Sequence, residues 1–158
     1  MDTGGFAPVM QDGPPRRENQ SSESSLRRRH TVIQGVQHVA VVTTDVERAA
    51  RFYTEVLGFK ESLRLETTHS GTIVFVSANG TQLELFGGGK PKEPGESEGK
   101  VGFPHVALLV DDVDGEYERL KALGVEFDMP PTEAEAGIRL AFFKDPDGNR
   151  FEIITFNE

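Results

Sequence analysis

The chain has 158 residues, a formal net charge of −9 and no cysteine. This length fits a single domain, and the lack of thiols excludes disulfide scaffolds, thiolate metal ligands and cysteine nucleophiles. The negative charge argues against a nucleic-acid surface, and no stretch approaches the roughly 20 apolar residues of a membrane helix, so we expect a cytoplasmic protein with neither partner.

The first segment of the chain, residues 1–33, is rich in Gly, Pro, Ser and charge, and it includes a run of three arginines at 27–29. Such a composition cannot bury enough apolar surface to order itself. We therefore predict a disordered tail over 1–33, whose arginines are solvated or, alternatively, contact an anionic partner. One domain is expected to follow over 34–158.

In the first half of that domain, apolar residues first recur at the spacing of a strand and then at the spacing of a helix. The stretch QHVAVV alternates as a strand does, and VERAARFYTEVLGF has apolar residues at helical spacing. Asp45 is placed to cap the helix, which we expect to end at Gly58. An Asn79-Gly80 pair favours a tight hairpin, because both residues tolerate positive φ angles. Three further strands are predicted, at 59–66, 72–77 and 81–86.

The same order recurs after a polar segment, 89–100, that we interpret as a linker. FPHVALLV is a predicted strand, DVDGEYERLKALG a helix ending at Gly124, and VEFDM, IRLAFFK and RFEIITF are strands. The two copies, 34–88 and 101–158, keep a nearly constant offset. Asp45 precedes Asp112 by 67 residues, and Gly80 precedes Gly148 by 68. A fixed offset indicates a duplicated unit, so we predict an α+β fold of two βαβββ modules.

Four residues with metal-binding side chains stand at equivalent positions of the two copies. His38 and His105 are 67 residues apart on the first strand of each module, and Glu84 and Glu152 are 68 apart on the last. Equivalent positions converge in a pseudo-twofold arrangement, and a cation held by two imidazoles and two carboxylates would offset the charge of both carboxylates. We predict one divalent-metal site, with Ni, Co, Mn, Fe or Zn as suitable ions.

The strings HVAVVTTDVERAARFYTEVLGF, QLELF, PHVALLVDDVDGEYERLKALGV and FFKDPDGNRFEI resemble the vicinal oxygen chelate superfamily, and most of all bacterial glyoxalase I (lactoylglutathione lyase). The resemblance covers about residues 34–158. It implies a curved half-barrel sheet with helices outside, often completed in a homodimer, and it implies the ligand set His38, Glu84, His105 and Glu152.

The resemblance also implies a reaction. Substrate oxygens would chelate the metal, and a carboxylate would move a proton from the adjacent carbon through a metal-stabilised enediolate. Glu152 would be the base by analogy with the second-module glutamate of glyoxalase I, with Glu84 as the second candidate. Residues that help hold glutathione in that family are replaced here by Val42 and Gly88, which puts glutathione binding in doubt.

The sequence leaves several functions open. The leading hypothesis is a metal-dependent lyase or isomerase that acts on a small oxygen-chelating molecule. The alternatives are a ferrous ring-cleaving dioxygenase, which would need only two histidines and one carboxylate, and a bleomycin-resistance-like protein that binds a ligand without catalysis. Further residues considered for lining the pocket are Phe75, Phe86, Phe142 and Arg139.

Overall fold

The chain folds into two modules of the predicted order, strand, helix, strand, strand, strand. The computed structural model describes residues 33, 35–91 and 101–156. The first module comprises β1 (Val39–Val42), α1 (Val46–Arg51), a π-helical turn (Phe52–Val56), β2 (Lys60–Thr67), β3 (Gly71–Ala78) and β4 (Thr81–Phe86). The second comprises β5 (Val106–Leu109), α2 (Val113–Ala122), β6 (Phe127–Glu133), a 3₁₀ turn (Glu135–Gly137), β7 (Ile138–Lys144) and β8 (Arg150–Phe156).

Each module forms its own four-stranded mixed sheet, in the orders β1-β4-β3-β2 and β5-β8-β7-β6. The first strand of each module pairs in parallel with the last, and the remaining pairs are antiparallel. This arrangement confirms the predicted α+β class with two βαβββ modules. Within the chain the two sheets are not hydrogen-bonded to each other, and β1 and β5 are edge strands of their own sheets.

The two modules join through the helix-facing sides of their sheets, which share one hydrophobic core. In β4, Leu83 and Leu85 are fully buried, and in β8 Phe151 and Ile153 are 1% exposed. Because successive strand residues point to opposite faces, the residues between them lie on the sheet face away from the helices. Both predicted glutamates are among those residues, so each sheet has an apolar face for the core and a second face that carries Glu84 or Glu152.

A polar latch also connects the modules, between the first helix and the turn that precedes β8. The Tyr53 hydroxyl donates to Asp145 Oδ2 at 2.7 Å, and the Tyr53 ring packs against Phe151 with 5.7 Å between centroids. Asp147 in the same turn accepts hydrogen bonds from Thr44 and Arg48. Tyr53 is fully buried, so the turn before β8 is held by the first module.

Both helices begin where the sequence predicts, and the first changes its winding in its last turn. Asp45 accepts from the Arg48 N–H, and Asp112 accepts from the Gly115 N–H, each at 3.0 Å, as expected of helix N-caps. The first helix widens into the π-helical turn, in which the Leu57 N–H bonds to the Phe52 carbonyl at 3.1 Å. Hydrophobic period alone did not predict this widening.

The hairpin at Asn79-Gly80 is confirmed by positive φ angles of 45° and 83°. In contrast, β6 extends four residues past the predicted strand, through Pro130-Pro131 to Glu133, because an edge strand tolerates residues that cannot donate to a ladder. No helix in the described part of the chain is long and apolar enough to cross a membrane. Apart from Ile33, the predicted tail lies outside the described residues, as does most of the predicted linker.

Candidate metal centre

Adjacent parallel strands bring one histidine and one glutamate together in each module. His38 lies just before β1, and Glu84 stands opposite Ala40 in the β1–β4 ladder. His105 lies just before β5, and Glu152 stands opposite Ala107 in the β5–β8 ladder. Because residues two apart on a strand share a face, both side chains of each module lie on the face away from the helices.

The two His–Glu pairs have nearly the same geometry. His38 Nε2 lies 3.2 Å from Glu84 Oε2, and His105 Nε2 lies 3.1 Å from Glu152 Oε2. Ligand bonds of about 2.0–2.2 Å place two donors at right angles on one ion about 3 Å apart. Each pair therefore has the spacing of two neighbouring ligands on one divalent cation, and nitrogen with oxygen is a donor set that such ions accept.

The environment of His38 supports a ligand role for its Nε2 atom. Its Nδ1 atom is hydrogen-bonded to Gln37 Oε1. An amide oxygen can only accept, so Nδ1 is the donor in that bond and Nε2 is the ring nitrogen directed at Glu84. In a neutral ring protonated on Nδ1, Nε2 has a lone pair that can bind a cation. A hydrogen bond that fixes the tautomer in this way is common behind metal-binding histidines.

An aromatic ring flanks each pair at the equivalent position. Phe75 is the cross-strand partner of Glu84, and its ring meets that of His38 edge-on at 5.7 Å. Phe142 is the partner of Glu152 and meets His105 edge-on at 5.1 Å. The repeat therefore includes the aromatic residues Phe75 and Phe142, which contact the candidate histidines in the same way in both modules.

The two pairs differ in their access to water. The Glu152 side chain is 8% exposed and that of Glu84 is 21% exposed. Both histidines are about one-third exposed. The second-module carboxylate is therefore the more shielded of the two, although both pairs consist of one histidine and one glutamate.

The single chain does not bring the two pairs together. Over residues 35–91 and 101–156, no three His, Asp or Glu side chains lie close enough to hold one ion. The two faces that carry the pairs both lie away from the shared core. A cleft of about 360 Å³ between the helix ends is lined by residues such as Phe52, Val125 and Asp145, and by none of the four candidate ligands. The convergence of His38, Glu84, His105 and Glu152 on one ion stays a prediction.

Of the further residues considered for lining the pocket, Arg139 does not lie on the face of the sheet that carries Glu152. Its guanidinium pairs with Asp114 at the start of α2, so it lies on the helix side of the sheet. Arg150 was missed, although it stands two residues before Glu152 and strand alternation alone places it on the same face. Val42 lies on the same face of β1 as His38 and is 46% exposed. Its apolar side chain offers no charge or hydrogen bond to glutathione at this position.

Comparison with known proteins gives consistent results. The family model described as Glyoxalase/Bleomycin resistance protein/Dioxygenase superfamily matches residues 35–153 of the sequence. The uncharacterized protein YwbC of Bacillus subtilis is 32% identical, over 75% of this chain and 94% of that protein. TnmS3, an antibiotic binding protein from Streptomyces, is 33% identical with a TM-score of 0.63, over 78% of this chain and 97% of its own. Lactoylglutathione lyase from Agrobacterium tumefaciens is 26% identical with a TM-score of 0.58, over 77% and 92%.

Proposed function

Since the chain belongs to the Glyoxalase/Bleomycin resistance protein/Dioxygenase superfamily, we propose that it is a metal-dependent lyase or isomerase acting on a small, oxygen-chelating substrate. The observation that carries this proposal is the duplicated His–Glu pair, with Nε2–Oε2 distances of 3.2 and 3.1 Å on the open face of each sheet. A protein that only encloses a ligand has no need for two such pairs at equivalent positions.

The metal would be held by His38, Glu84, His105 and Glu152. When bound, a divalent cation supplies electrophilic stabilisation of the negative charge that develops on substrate oxygens. Glu152 is the residue proposed to take the proton from the adjacent carbon, because its low exposure limits competition from water. Glu84, which is more exposed, has mainly a binding role in this proposal.

A homodimer is part of the proposal, because one chain keeps its two pairs apart. The first module of one copy would face the second module of another. Apolar residues exposed on the ligand-bearing faces support this association. Val42 is 46% exposed and Leu109 is 75% exposed, and both follow their histidine by four residues on a strand that alternates faces. Contact between copies would bury these side chains, which stabilises association.

A second candidate function is ligand sequestration without catalysis. It is favoured by one comparison, since TnmS3 is described as an antibiotic binding protein and is 33% identical to this chain. The apolar residues Leu63 and Leu65 on β2, which are 47% and 41% exposed, would suit a hydrophobic ligand. Metal binding separates the two functions, because a ligand-binding protein does not require it.

The test is metal analysis of the full chain purified without a histidine tag, followed by titration with Ni²⁺, Co²⁺, Mn²⁺ and Zn²⁺. We expect stoichiometric binding by the parent protein. His38→Ala and His105→Ala should each abolish it or weaken it by orders of magnitude, because water replaces an imidazole ligand poorly.

His69→Ala is the matched control. His69 lies in an exposed turn where it bonds to Thr68, so its loss should leave metal affinity unchanged. If the His38→Ala and His105→Ala proteins bind metal as tightly as the parent, the metal site does not exist and sequestration becomes the better explanation.

A further inference from the structure

A cationic side chain stands on the ligand-bearing face of the second module. Arg150 begins β8 two residues before Glu152, and Phe151 between them is buried in the core. Residues two apart on a strand are separated by about 6.5 Å. The Arg150 side chain is 38% exposed, so it is open to a ligand that also reaches the metal position.

The guanidinium of Arg150 is held in place by two neighbours. Its Nε donates to Asp128 Oδ2 at 2.9 Å, and its central carbon lies 3.8 Å from the centre of the Phe142 ring. That ring also contacts His105. Among the residues that the structure describes, only Nε of this guanidinium has a hydrogen-bond partner. Its terminal nitrogens thus present donors in the fork geometry that suits carboxylate and phosphate groups.

The equivalent position of the first module has no charge. Gln82, two residues before Glu84, donates to Ser62 Oγ at 3.0 Å and accepts from Gln37 Nε2 at 2.6 Å. Both oxygen and nitrogen of that amide are therefore occupied. The candidate ligands are the same in both modules, and the residue two positions before the glutamate is a neutral amide in one and an arginine in the other.

Strand pairing places a second cationic residue, Lys144, at the same end of the sheet as Arg150. Lys144 is the cross-strand partner of Arg150 in the β7–β8 ladder. Like charges directly opposite each other on a sheet destabilise it, and Asp128 offsets only part of that repulsion. A bound anion would offset the remainder.

We propose that Arg150 binds a second anionic group of the substrate, a carboxylate, phosphate or phosphonate separated by a few bonds from the chelating oxygens. The inference rests on the proposed metal-dependent function and narrows its substrate to anionic chelators. Arg150 is then a specificity-determining residue that directs the charged end of the substrate toward the second module, while the neutral Gln82 side receives the other end.

The experiment compares two probes of the same size on the full-length, metal-loaded protein by titration calorimetry. L-Malate has an α-hydroxycarboxylate chelate and a second carboxylate, and its 4-amide replaces that second carboxylate with a neutral group. A hydrogen bond to a charged group contributes about 1.5–3 kcal/mol, so the parent should bind malate at least about tenfold more tightly than the amide. Arg150→Gln should weaken malate binding to the level of the amide and leave amide binding unchanged.

Arg139→Gln is the matched control, because Arg139 is also a paired arginine of the second sheet and lies on the helix side. It should keep the full preference for malate, and Arg150→Lys should keep part of it. The inference is overturned if Arg150→Gln retains the preference, if it weakens both probes equally, or if the metal-loaded parent binds neither probe. Metal analysis of the same samples separates these results from failure of the proposed function, which shows as loss of metal binding by the parent itself.

Discussion

At the scale of single residues, the two glutamates proposed as metal ligands have similar contacts and different exposure to water. Glu84 and Glu152 occupy equivalent strand positions and make equivalent contacts with a histidine. They differ in exposure, with the Glu152 side chain at 8% against 21% for Glu84. The repeat therefore accounts for the choice of candidate ligands, and the difference in exposure supports Glu152 as the proposed base.

We predict that Glu152→Gln retains some metal through its amide oxygen and loses proton transfer by about 10²–10⁴-fold, the usual contribution of a positioned base. Glu84→Gln should lose much less. Deuterium incorporation from D₂O into hydroxyacetone, followed by NMR with metal-loaded protein, measures this step directly. A larger loss in Glu84→Gln would exchange the roles of the two carboxylates.

The latch residue Tyr53 gives a prediction about stability and pH. Burial raises the pKa of its hydroxyl well above the ordinary value, with further contributions from Asp145 and Asp147. The unfolded chain therefore loses this proton at a lower pH than the folded protein does. The stabilisation from Tyr53 is fully present below about pH 10, the ordinary tyrosine pKa, and is lost as the pH rises toward the folded-state value.

Tyr53→Phe should lower the free energy of unfolding at neutral pH by about 1.5–3 kcal/mol, because a hydrogen bond to a carboxylate is lost in the core. The difference between parent and variant should then shrink above about pH 10. Urea unfolding at several pH values measures both effects. Tyr117→Phe is the control, since among the described residues the Tyr117 hydroxyl has only a long hydrogen bond, accepted from Lys121 at 3.4 Å. An equal loss in the two variants would contradict the latch.

The residues of the candidate site were only partly predictable from the sequence. The four ligand candidates follow from the repeat, and each histidine does meet its own glutamate. Arg139 was considered for the pocket because it lies on a predicted strand, but its face depended on a register that the sequence did not specify. Arg150 could have been found by counting back two residues from Glu152. Its fixation by Asp128 depends on a side-chain hydrogen bond from β8 across β7 to β6, which only the fold supplies.

At the scale of elements, strands that pair on both sides were predicted best. The ends of β4, β7 and β8 agree with the predicted ranges, because alternation and turn residues define them from both directions. The edge strands β1 and β5 are shorter than predicted, since only one neighbour fixes their length. The edge strand β6 is longer than predicted.

Gly115 in α2 tests whether equivalent positions of the two modules tolerate the same side chains. A Cβ at this position would lie 2.5 Å from Asp112 Oδ2, which suggests a clash with the helix cap. Its counterpart Arg48 has a Cβ and still donates to Asp45 at 3.0 Å, so the carboxylate can turn aside. We predict that Gly115→Ala raises the free energy of unfolding by up to about 1 kcal/mol.

Chemical denaturation of Gly115→Ala beside Asp112→Ala measures this prediction. The second variant removes the cap and should lower stability by about 1 kcal/mol. If Gly115→Ala is destabilised as much as Asp112→Ala, the cap in α2 is more rigid than its counterpart in α1, and the two modules are not interchangeable at this position.

At the scale of the whole molecule, the separation of the two His–Glu pairs gives the sharpest prediction. If each site combines the first module of one chain with the second module of another, His38→Ala and His105→Ala proteins can complement each other. A mixed dimer would have one site with all four ligands and one site without either histidine. Neither His38→Ala nor His105→Ala should bind metal by itself.

After subunit exchange, an equal mixture of the two variants should regain about a quarter of the normal metal stoichiometry, because half of the dimers are mixed and each has one complete site. Sedimentation of the metal-loaded parent should show the dimer mass. A mixture that regains no metal, or a parent that sediments as a monomer at high concentration, would refute the shared site. Mixing His38→Ala with His69→Ala is the control, since subunit exchange leaves the total number of complete sites unchanged at about half of normal.

The π-helical turn Phe52–Val56 lies where the helices of the two copies differ in length. The offset between copies is 67 residues at the helix starts, Asp45 and Asp112, and 66 at the glycines that end them, Gly58 and Gly124. The first copy thus contains one extra residue within its helix, and the wider turn accommodates it. In a regular helix that residue would rotate everything after it by about 100°. Because the wider turn accommodates the extra residue locally, β4 still pairs with β1 as β8 pairs with β5, and Glu84 stands opposite Ala40 as Glu152 stands opposite Ala107.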